Sequence, residues 1–258
     1  MEIGFNNKVV LITGATSGIG EAATEVFAIA QAQVMLTGRN EDKLADLARS
    51  IQNGGNSSVH FLAGDIADVQ FRESLIKETI DKFGKLDVLV NSAGIIGMGT
   101  IETTTLEQFD QMIDINLSSI FHLSQLAVPY LEKTQGNIVN LSSVAGLRSF
   151  PGLVSYCVSK AALDQLTRCA ALELAPKKIR VNAVNPGVVV TNLHRRSGMP
   201  EESYQKFVEH SKTTHPIGRV GEPKEIAKLI AYLASDNSEW ITGVTYSIDG
   251  GRAQTCFR

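Results

Sequence analysis

The feature that most limits the fold is the alternation of short apolar runs with longer segments of helical periodicity. Apolar runs of strand length recur seven times over residues 8–248. The intervening segments carry apolar residues at helical spacing, as Leu44 and Ile51 do. Strands that alternate with helices close onto one parallel sheet, so the sequence predicts an α/β fold. The expected architecture is a single doubly wound domain over residues 1–258, with helices on both faces of a seven-stranded parallel sheet.

Turn-forming and charged residues set the expected boundaries of these elements. The predicted strands are Lys8–Thr13, Gln33–Gly38, Val59–Gly64, Leu86–Asn91, Gly136–Ser143, Ile179–Val184 and Val244–Ile248. The predicted helices are Ile19–Ala30, a segment around Leu44 that stops at Gly54, a segment from the capping residue Asp68 to Phe83, Leu106–Leu131, Leu153–Ala175 and Lys224–Ala234. Residues 191–216 are polar with weak periodicity, which predicts an excursion over the surface.

The charge balance argues against two classes of partner. The net charge is −3 and the isoelectric point is about 6.0. Such a chain has no long-range attraction for nucleic-acid phosphates or for anionic membranes. It has no run of about eighteen apolar residues that could cross a membrane, and its first residues lack a targeting pattern. We therefore expect a cytoplasmic protein with a small-molecule substrate, and no nucleic-acid or membrane partner.

The cysteines and histidines give no sign of a metal or redox centre. The three cysteines lack a Cys-x-x-Cys spacing and cannot all pair, which favours a reducing compartment. They are Cys157, Cys169 and Cys256. The histidines lie in no metal-ligand spacing, so we expect no metal, and we expect these side chains on the surface or in loops. They include His194, His210 and His215.

A glycine-rich turn follows the first predicted strand directly. Residues 13–20 read TGATSGIG and lead into the first predicted helix. Backbone N–H groups and the helix dipole at such a turn point towards an incoming pyrophosphate, and glycine lets the phosphate approach without a Cβ. The spacing of Gly14, Gly18 and Gly20 departs from the GxGxxG fingerprint of dinucleotide-binding folds. A plain strand-to-helix turn is the alternative interpretation.

The TGATSGIG turn resembles the TGxxxGxG motif of the short-chain dehydrogenase/reductase family, and further matches follow in order along the chain. Asp65, Asn91–Gly94 and Asn185–Gly187 are similar to the family's adenine, ribose and nicotinamide segments. Asp65 as a plain turn residue is the alternative, and Ser92 replaces the family's second asparagine. The resemblance implies a Rossmann-type domain that binds NAD(P). The implied cofactor-binding residues are Gly14, Ser17, Gly18, Ile19, Gly20, Arg39, Asp65, Ile66, Asn91, Ala93, Gly94, Tyr156, Lys160, Pro186, Gly187, Val189 and Thr191.

Tyr156 and Lys160 lie four positions apart on a predicted helix, so they share one face. Free tyrosine has a pKa of about 10, and a nearby ammonium stabilises the phenolate and lowers that pKa. The pair therefore predicts a phenol that exchanges its proton near neutral pH as a general acid or base. An exposed helical pair without chemistry is the alternative interpretation.

The family resemblance implies two further catalytic residues. Ser143 lies thirteen positions before Tyr156, the family's spacing between its catalytic serine and tyrosine, and is expected to hydrogen-bond the substrate oxygen. Ser142 is the alternative serine, and either hydroxyl as a cap of the turn before Val144 would need no chemistry. Asn116 matches the family position that bends a helix and holds a water beside the lysine, with a plain kink residue as the alternative.

The end of the second predicted strand indicates which cofactor is preferred. Dinucleotide-binding folds place an acidic residue some twenty positions after the glycine turn, where it binds ribose hydroxyls and repels a 2′-phosphate. Here Gly38 stands eighteen positions after Gly20, and Arg39 follows with a guanidinium suited to phosphate. We therefore predict NADP(H) over NAD(H). An Arg39 that only opens the next loop is the alternative.

These residues predict an NADP(H)-dependent carbonyl reductase or alcohol dehydrogenase, which transfers a hydride between nicotinamide and a ketone or secondary alcohol. A 3-oxoacyl thioester reductase and a nucleotide-binding, redox-sensing module without turnover are the alternatives. Residues 191–216 are expected to be a substrate lid, with a solvated helical insertion as the alternative. The resemblance also implies a homotetramer, paired through the helices at 106–131 and 153–175.

Overall fold

The seven strands form one parallel sheet, as the alternation predicts. The computed structural model describes residues 3–55 and 58–255. The strands are β1 (Val9–Thr13), β2 (Gln33–Gly38), β3 (Val59–Ala63), β4 (Val88–Asn91), β5 (Asn137–Leu141), β6 (Arg180–Pro186) and β7 (Thr245–Ile248). Their order across the sheet is β3-β2-β1-β4-β5-β6-β7, and every neighbouring pair is parallel. The predicted fold class is confirmed.

Helices connect the strands and begin at capping residues. Within the described residues they are α1 (Gly18–Ile29), α2 (Glu41–Asn53), α3 (Val69–Phe83), α4 (Leu106–Ile113), α5 (Ser119–Thr134), α6 (Val144–Leu147), α7 (Val154–Leu174), α8 (Leu193–Arg196), α9 (Glu201–Thr214) and α10 (Pro223–Ala234). The side chains of Asn40 and Asp68 accept backbone N–H groups at the starts of α2 and α3. Gly84 ends α3 in the left-handed conformation that glycine favours.

Both faces of the sheet are covered, because alternate strand residues point to opposite sides. On β1, Val10 and Ile12 pack with α1, α2 and α10, whereas Val9 and Leu11 pack with α3, α5 and α7. All four side chains are fully buried, which is typical of strands inside a parallel sheet. The strand order reverses between β1 and β4, so a crevice opens beyond the carboxyl ends of these two strands.

The predicted helical segment over residues 106–131 is helical throughout but changes its winding at its centre. A π-helical segment, Asp114–Ser118, separates α4 from α5. Asn116 lies in this wider turn and is completely buried. A π turn adds one residue to a helix without changing the apolar character of the run, so periodicity does not reveal it.

Residues 191–216 contain two helices, α8 and α9, and the surface or loop placement of His215 is wrong. Its side chain is only 2% exposed. The backbone N–H of Val188 donates to His215 Nε2 at 3.0 Å, and Nδ1 lies 2.6 Å from the carbonyl oxygen of Ser211. Because Nε2 accepts a hydrogen bond, the imidazole is neutral with its proton on Nδ1. His215 therefore joins the end of the 191–216 segment to the loop after β6.

The two cysteines within the described residues occupy different environments. Cys157 is buried and Cys169 is exposed, whereas Cys256 lies outside the described residues. In the part of the chain that the structure describes, no helix has the length and apolar character needed to span a membrane.

Candidate active site

A cleft lies beyond the carboxyl ends of the strands, where the strand order reverses. One part, the glycine cavity, has a volume of about 160 Å³ and lies at the turn that contains Gly14. The other part, the tyrosine cavity, has a volume of about 390 Å³, is largely apolar and has Tyr156 in its wall. Gly94, Leu141 and Thr191 line both cavities, so the two parts are adjacent.

The glycine turn is shaped to bring a ligand close to the backbone. Gly14 has a φ of +70°, and a Cβ there would lie 2.9 Å from the Cα of Ala93. A Cβ on Gly20 would lie 2.4 Å from the carbonyl oxygen of Gly14. Ser17 precedes α1 without a capping hydrogen bond, so its side chain leaves the first N–H groups of the helix available. The turn therefore fits a dinucleotide pyrophosphate, since available N–H groups at a helix start bind anions.

Most of the residues implied for the cofactor line the cleft. Those on the glycine cavity are Gly14, Ser17, Gly18, Ile19, Gly20, Arg39, Asp65, Ile66, Ala93, Gly94 and Thr191. Those on the tyrosine cavity include Tyr156, Lys160, Pro186, Gly187 and Val189. Asn91 lines neither cavity, because its buried amide donates to Asn140 Oδ1 at 2.9 Å and to Ser124 Oγ at 3.3 Å. Its side chain joins β4 to β5 behind the cleft.

Thr13 and Arg196 also line the glycine cavity and are not among the residues implied for the cofactor. Thr13 Oγ1 accepts hydrogen bonds from the backbone N–H groups of Ser92 and Ala93, at 3.0 and 2.9 Å. These bonds fix the loop after β4 to the end of β1. Arg196 lines the same cavity from α8, so the cavity holds a second guanidinium besides Arg39. A turn threonine and a distant arginine carry no spacing signal, because only the fold brings them to the cleft.

Gly38, at the end of β2, lies tightly against the glycine turn. A Cβ on Gly38 would stand 2.7 Å from Thr16 Cγ2. Arg39 follows at an exposed position, and its guanidinium makes no hydrogen bond with another described residue. The end of β2 therefore presents a cation to the glycine cavity and no carboxylate.

Tyr156 and Lys160 lie on α7 with side chains that are 8% and 4% exposed. Lys160 Nζ is 5.9 Å from the tyrosine ring centroid and donates to the carbonyl oxygen of Leu141 at 2.7 Å. Burial lowers the pKa of Lys160 to about 8, against the charge of Asp164, which raises it. Burial also raises the pKa of Tyr156, whereas a hydrogen bond with Ser143 lowers it. The pKa of Tyr156 is therefore raised and not lowered as the helical spacing predicts, because burial is the largest influence on it.

Ser143 meets the tyrosine from the start of α6. Its Oγ accepts the backbone N–H of Ala145 at 3.1 Å, as the cap of α6, and the residue lines the same cavity as Tyr156. The capping interpretation of this serine is confirmed, and its expected contact with a substrate oxygen stays a prediction. Ser142 instead donates to the carbonyl oxygen of Lys160 at 3.3 Å.

Asn116 lies behind the pair, carried inward by the π-helical segment. Its Oδ1 accepts the N–H of Ile95 at 2.9 Å, and its Nδ2 donates to Ser159 Oγ at 3.1 Å. A Cβ on Gly94 would lie 3.2 Å from Asn116 Oδ1 and 3.7 Å from Lys160 Nζ, so the amide and the ammonium flank the same glycine. The four residues implied for catalysis are therefore brought to one region.

A buried carboxylate next to this region was not recognised from the sequence. Asn185 Nδ2 donates to Asp164 Oδ2 and to the carbonyl oxygen of Ser143, both at 2.9 Å. Burial raises the pKa of Asp164, while hydrogen bonds from Ser142 and Asn185 lower it. The cluster ties β6 to the turn that holds Ser143, and its members meet only through the tertiary fold.

The chain is similar over nearly its whole length to proteins named as dehydrogenases and reductases. A family model described as enoyl-(acyl carrier protein) reductase matches residues 14–253. A meso-2,3-butanediol dehydrogenase of Serratia marcescens is 36% identical over 247 residues, which are 96% of this chain and 95% of the relative. A 3-oxoacyl-(acyl-carrier-protein) reductase of Thermotoga maritima is 38% identical over 248 residues, which are 96% of this chain and 98% of the relative.

A solved structure shows the same likeness in three dimensions. It is a short-chain dehydrogenase/reductase of unknown function from Caenorhabditis elegans, crystallised with cofactor. Its TM-score is 0.92 at 36% identity, and the match covers 98% of this chain and 97% of that chain. The matched residues include the glycine turn and the Tyr156 helix alike. The chain therefore belongs to the short-chain dehydrogenase/reductase family of NAD(P)-binding oxidoreductases.

Proposed function

We propose that the protein is an NADP(H)-dependent carbonyl reductase or alcohol dehydrogenase that acts on a ketone or a secondary alcohol. The observation that carries this proposal is that Ser143 and Tyr156 both lie in the wall of the tyrosine cavity, next to the glycine cavity. Two hydroxyl groups that face one apolar cavity are suited to hold and protonate a single oxygen atom.

The chemistry divides between the cofactor and these two hydroxyls. When bound, nicotinamide would supply a hydride to the substrate carbon, or accept one from it. In reduction, Tyr156 donates its phenolic proton to the substrate oxygen, and in oxidation it takes that proton back. Ser143 donates a hydrogen bond to the same oxygen and holds it in reach of the phenol. Because burial raises the pKa of Tyr156, the phenol stays protonated at neutral pH, the form that carbonyl reduction requires.

Lys160 and Asn116 support the proton transfer without contacting the substrate oxygen, one through its charge and the other by positioning the loop after β4. The Lys160 ammonium, 5.9 Å from the ring centroid, is expected to offset part of the cost that burial places on the Tyr156 phenolate. The lysine is also expected to hold the nicotinamide ribose. Asn116 fixes the loop after β4 through its two hydrogen bonds to the backbone of Ile95, which keeps Gly94 beside the ammonium.

The preference for NADP(H) rests on the charges of the glycine cavity. Arg39 is exposed at the end of β2, and Arg196 lines the same cavity from α8. A guanidinium binds phosphate oxygens through charge-assisted hydrogen bonds, which favours a cofactor that carries a 2′-phosphate. Gly38 offers no carboxylate to the ribose hydroxyls of NAD(H).

Reduction of a 3-oxoacyl thioester is the second candidate. It is favoured by the 38% identity to a 3-oxoacyl-(acyl-carrier-protein) reductase. The same Tyr156 and Ser143 would serve the ketone oxygen of such a substrate, so the two candidates differ in substrate and share the chemistry.

A substrate panel tests both candidates. Ketones, secondary alcohols and acetoacetyl-coenzyme A are offered with NADPH, NADH and their oxidised forms, and the absorbance of reduced nicotinamide is followed. We expect turnover of a ketone with NADPH. Turnover of acetoacetyl-coenzyme A alone would favour the thioester reductase. Tight dinucleotide binding without turnover of any compound would instead support the redox-sensing module.

Residues 191–216 are proposed to be the substrate lid. Leu193, Met199 and Phe207 of this segment line the tyrosine cavity, which gives an apolar inner face to an otherwise polar segment. Replacing Met199 and Phe207 by alanine should change the relative kcat/KM values across the ketone panel. An unchanged profile would indicate a solvated insertion.

The protein is further proposed to be a homotetramer. Phe121 on α5 and Val158 and Leu172 on α7 are large apolar side chains that are 52%, 43% and 79% exposed. Exposed apolar residues on neighbouring helices are suited to a two-fold interface. Light scattering at micromolar concentration measures the mass, and a monomer would contradict the proposal.

A further inference from the structure

We propose that Arg252 binds a carboxylate of the substrate, so that the substrate is an oxo- or hydroxycarboxylic acid. The inference rests on the proposed function, because it concerns the substrate of the same cavity. Arg252 begins a short 3-10 turn, Arg252–Gln254, and lines the tyrosine cavity without lining the glycine cavity. It is therefore placed to meet the substrate and not the cofactor phosphates.

The guanidinium of Arg252 has two N–H-bearing atoms without a hydrogen-bond partner among the described residues. Its Nε and Nη1 atoms are enclosed, and neither makes a hydrogen bond with a residue that the structure describes. No carboxylate of the described chain lies within ion-pair distance of it. Asp249 is near enough to act on its charge, but the two Asp249 oxygens accept the backbone N–H groups of Gly251 and Ala253 at 3.0 and 2.6 Å. Enclosed N–H groups of a cation without hydrogen-bond partners are costly, and an anionic ligand removes that cost.

The rest of the tyrosine cavity offers no negative charge. Among the described residues that line it, none is an aspartate or a glutamate. His194 also lines the cavity, and burial together with the charge of Arg252 lowers its pKa, so it is neutral at pH 7. The remaining wall is largely apolar, with side chains such as Ile96, Met98 and Val144. Apart from Lys160 of the acid-base pair, Arg252 is the permanent cation among the described residues that line this largely apolar cavity, so it selects a compact molecule with one anionic end.

Contacts on the cavity wall connect this cation to the acid-base pair. The Arg252 guanidinium carbon lies 4.9 Å from the ring centroid of Phe150, and Phe150 packs with the apolar cluster that contains Tyr156. The 3-10 turn itself packs on α6, the helix that Ser143 caps. Arg252 and the two hydroxyls therefore line the same cavity, so a molecule can present its carbonyl to Tyr156 and its carboxylate to Arg252.

Matched acids and amides test the proposal. The wild type and Arg252→Met are compared on 3-oxobutanoate, 4-oxopentanoate and 5-oxohexanoate, each against its carboxamide. We expect the wild type to favour one acid over its amide by roughly ten- to a hundred-fold in kcat/KM, mainly through KM, as for a lost charge-assisted bond. In Arg252→Met that ratio should fall to about one, while the amide is turned over within a few-fold of the wild-type rate.

Two further variants separate charge at this position from general effects. Arg252→Lys keeps the charge and should retain part of the preference for the acid. Arg148→Met removes an exposed guanidinium that bonds to the carbonyl oxygen of Thr255 outside the cavity, and should leave the ratio unchanged. An acid-to-amide ratio in Arg252→Met equal to that of the wild type overturns the proposal.

A binding measurement distinguishes failure of this inference from failure of the proposed function. Pentanoate and pentanamide are titrated into the cofactor-loaded wild type and into Arg252→Met by calorimetry. Pentanoate binding that is lost in Arg252→Met supports the carboxylate subsite even if no ketone is turned over. The absence of ketone turnover would contradict only the proposed function. Equal affinity of the wild type for the acid and the amide overturns the subsite even if neutral ketones are good substrates.

Discussion

The glycine cavity and the tyrosine cavity adjoin at Gly94, but glycine backbone forms much of the first wall and side chains form most of the second. Six glycines line the first, namely Gly14, Gly18, Gly20, Gly38, Gly64 and Gly94. Two line the second, Gly94 and Gly187. The glycine cavity is therefore shaped mainly by backbone atoms and by the space left where a Cβ would stand. The tyrosine cavity is shaped by side chains from α6, α7, α9 and the 3-10 turn at Arg252.

This difference indicates what each cavity tolerates. A backbone surface binds the constant part of a ligand, such as a pyrophosphate, and an added methyl group disrupts it. A side-chain surface selects the variable part of a ligand, and exchange of one polar atom changes it. Substitutions should therefore divide into those that abolish cofactor binding and those that abolish or redirect chemistry.

The largest effect is expected from one oxygen atom of the tyrosine cavity. Tyr156→Phe removes the general acid and should lower kcat by roughly 10² to 10⁴, the range for such a group. Cofactor affinity, measured by fluorescence titration, should stay near the wild-type value, because the glycine cavity is intact. Tyr246→Phe is the matched control, since Tyr246 is 49% exposed on β7 away from the cleft. Turnover of Tyr156→Phe within a few-fold of wild type would mean that another group supplies the proton.

A single added methyl group in the glycine cavity should weaken dinucleotide binding. Gly14→Ala places an alanine in the left-handed conformation, which costs about 1 to 2 kcal/mol of stability. Its Cβ also overlaps with Ala93, which costs about 1 to 3 kcal/mol more. We expect weaker dinucleotide binding and a lower unfolding temperature. Gly84→Ala is the control, because Gly84 has a similar φ of +77° with nothing within 4 Å of its Cβ position. It should show the backbone cost alone, and a Gly14→Ala protein that binds cofactor as well as Gly84→Ala does would contradict the role of this turn.

The cation at the end of β2 should have the next largest effect. Arg39→Leu removes a charge-assisted contact of about 1.5 to 3 kcal/mol, so the preference for NADP(H) over NAD(H) should fall by roughly ten- to a hundred-fold. The ratio of kcat/KM values for the two cofactors measures it, at fixed low salt because salt screens the contact. Arg196→Leu shows how far the second guanidinium shares this role. A wild-type enzyme that already favours NAD(H) would refute the interpretation of Arg39.

The smallest effect concerns the pH dependence of stability near the tyrosine cavity. Burial lowers the pKa of His215, so the folded state binds a proton less readily than the unfolded state, whose histidines titrate near 6.5. This contribution is fully present above pH 6.5 and is lost as the pH falls from there to the lowered pKa. The unfolding temperature of the wild type should therefore drop between pH 7.5 and 5.5.

The drop should be smaller in His215→Gln, with a remainder from His194, whose pKa burial lowers in the same direction. His210→Gln is the control, because His210 is an exposed histidine of α9. Differential scanning calorimetry at both pH values gives the comparison. A drop of equal size in His215→Gln and the wild type would show that this imidazole plays no part.

The sequence was informative where local chemistry decides the structure. The parallel sheet follows from alternation, and the glycine turn and the Tyr156–Lys160 pair follow from spacings of a few residues. Three features lay beyond such patterns. The π-helical segment at Asn116 changes no apolar residue, His215 is buried by bonds to Val188 and Ser211, and Arg252 reaches the cavity only through the fold. Burial likewise decided the pKa of Tyr156, and helical spacing carries no measure of burial.

The 2.7 Å approach between a Cβ on Gly38 and Thr16 Cγ2 has an evolutionary consequence. Under the proposed preference for NADP(H), a change to NAD(H) would place an acidic residue at position 38, and each replacement of Gly38 meets the Thr16 methyl group first. The order of substitutions then matters, because loss of the Thr16 methyl opens the path whereas the reverse order passes through a strained intermediate. Cofactor choice in this lineage is therefore expected to change through Thr16 and Gly38 together, and a library that randomises both positions would recover NAD(H)-preferring variants that single-site screening misses.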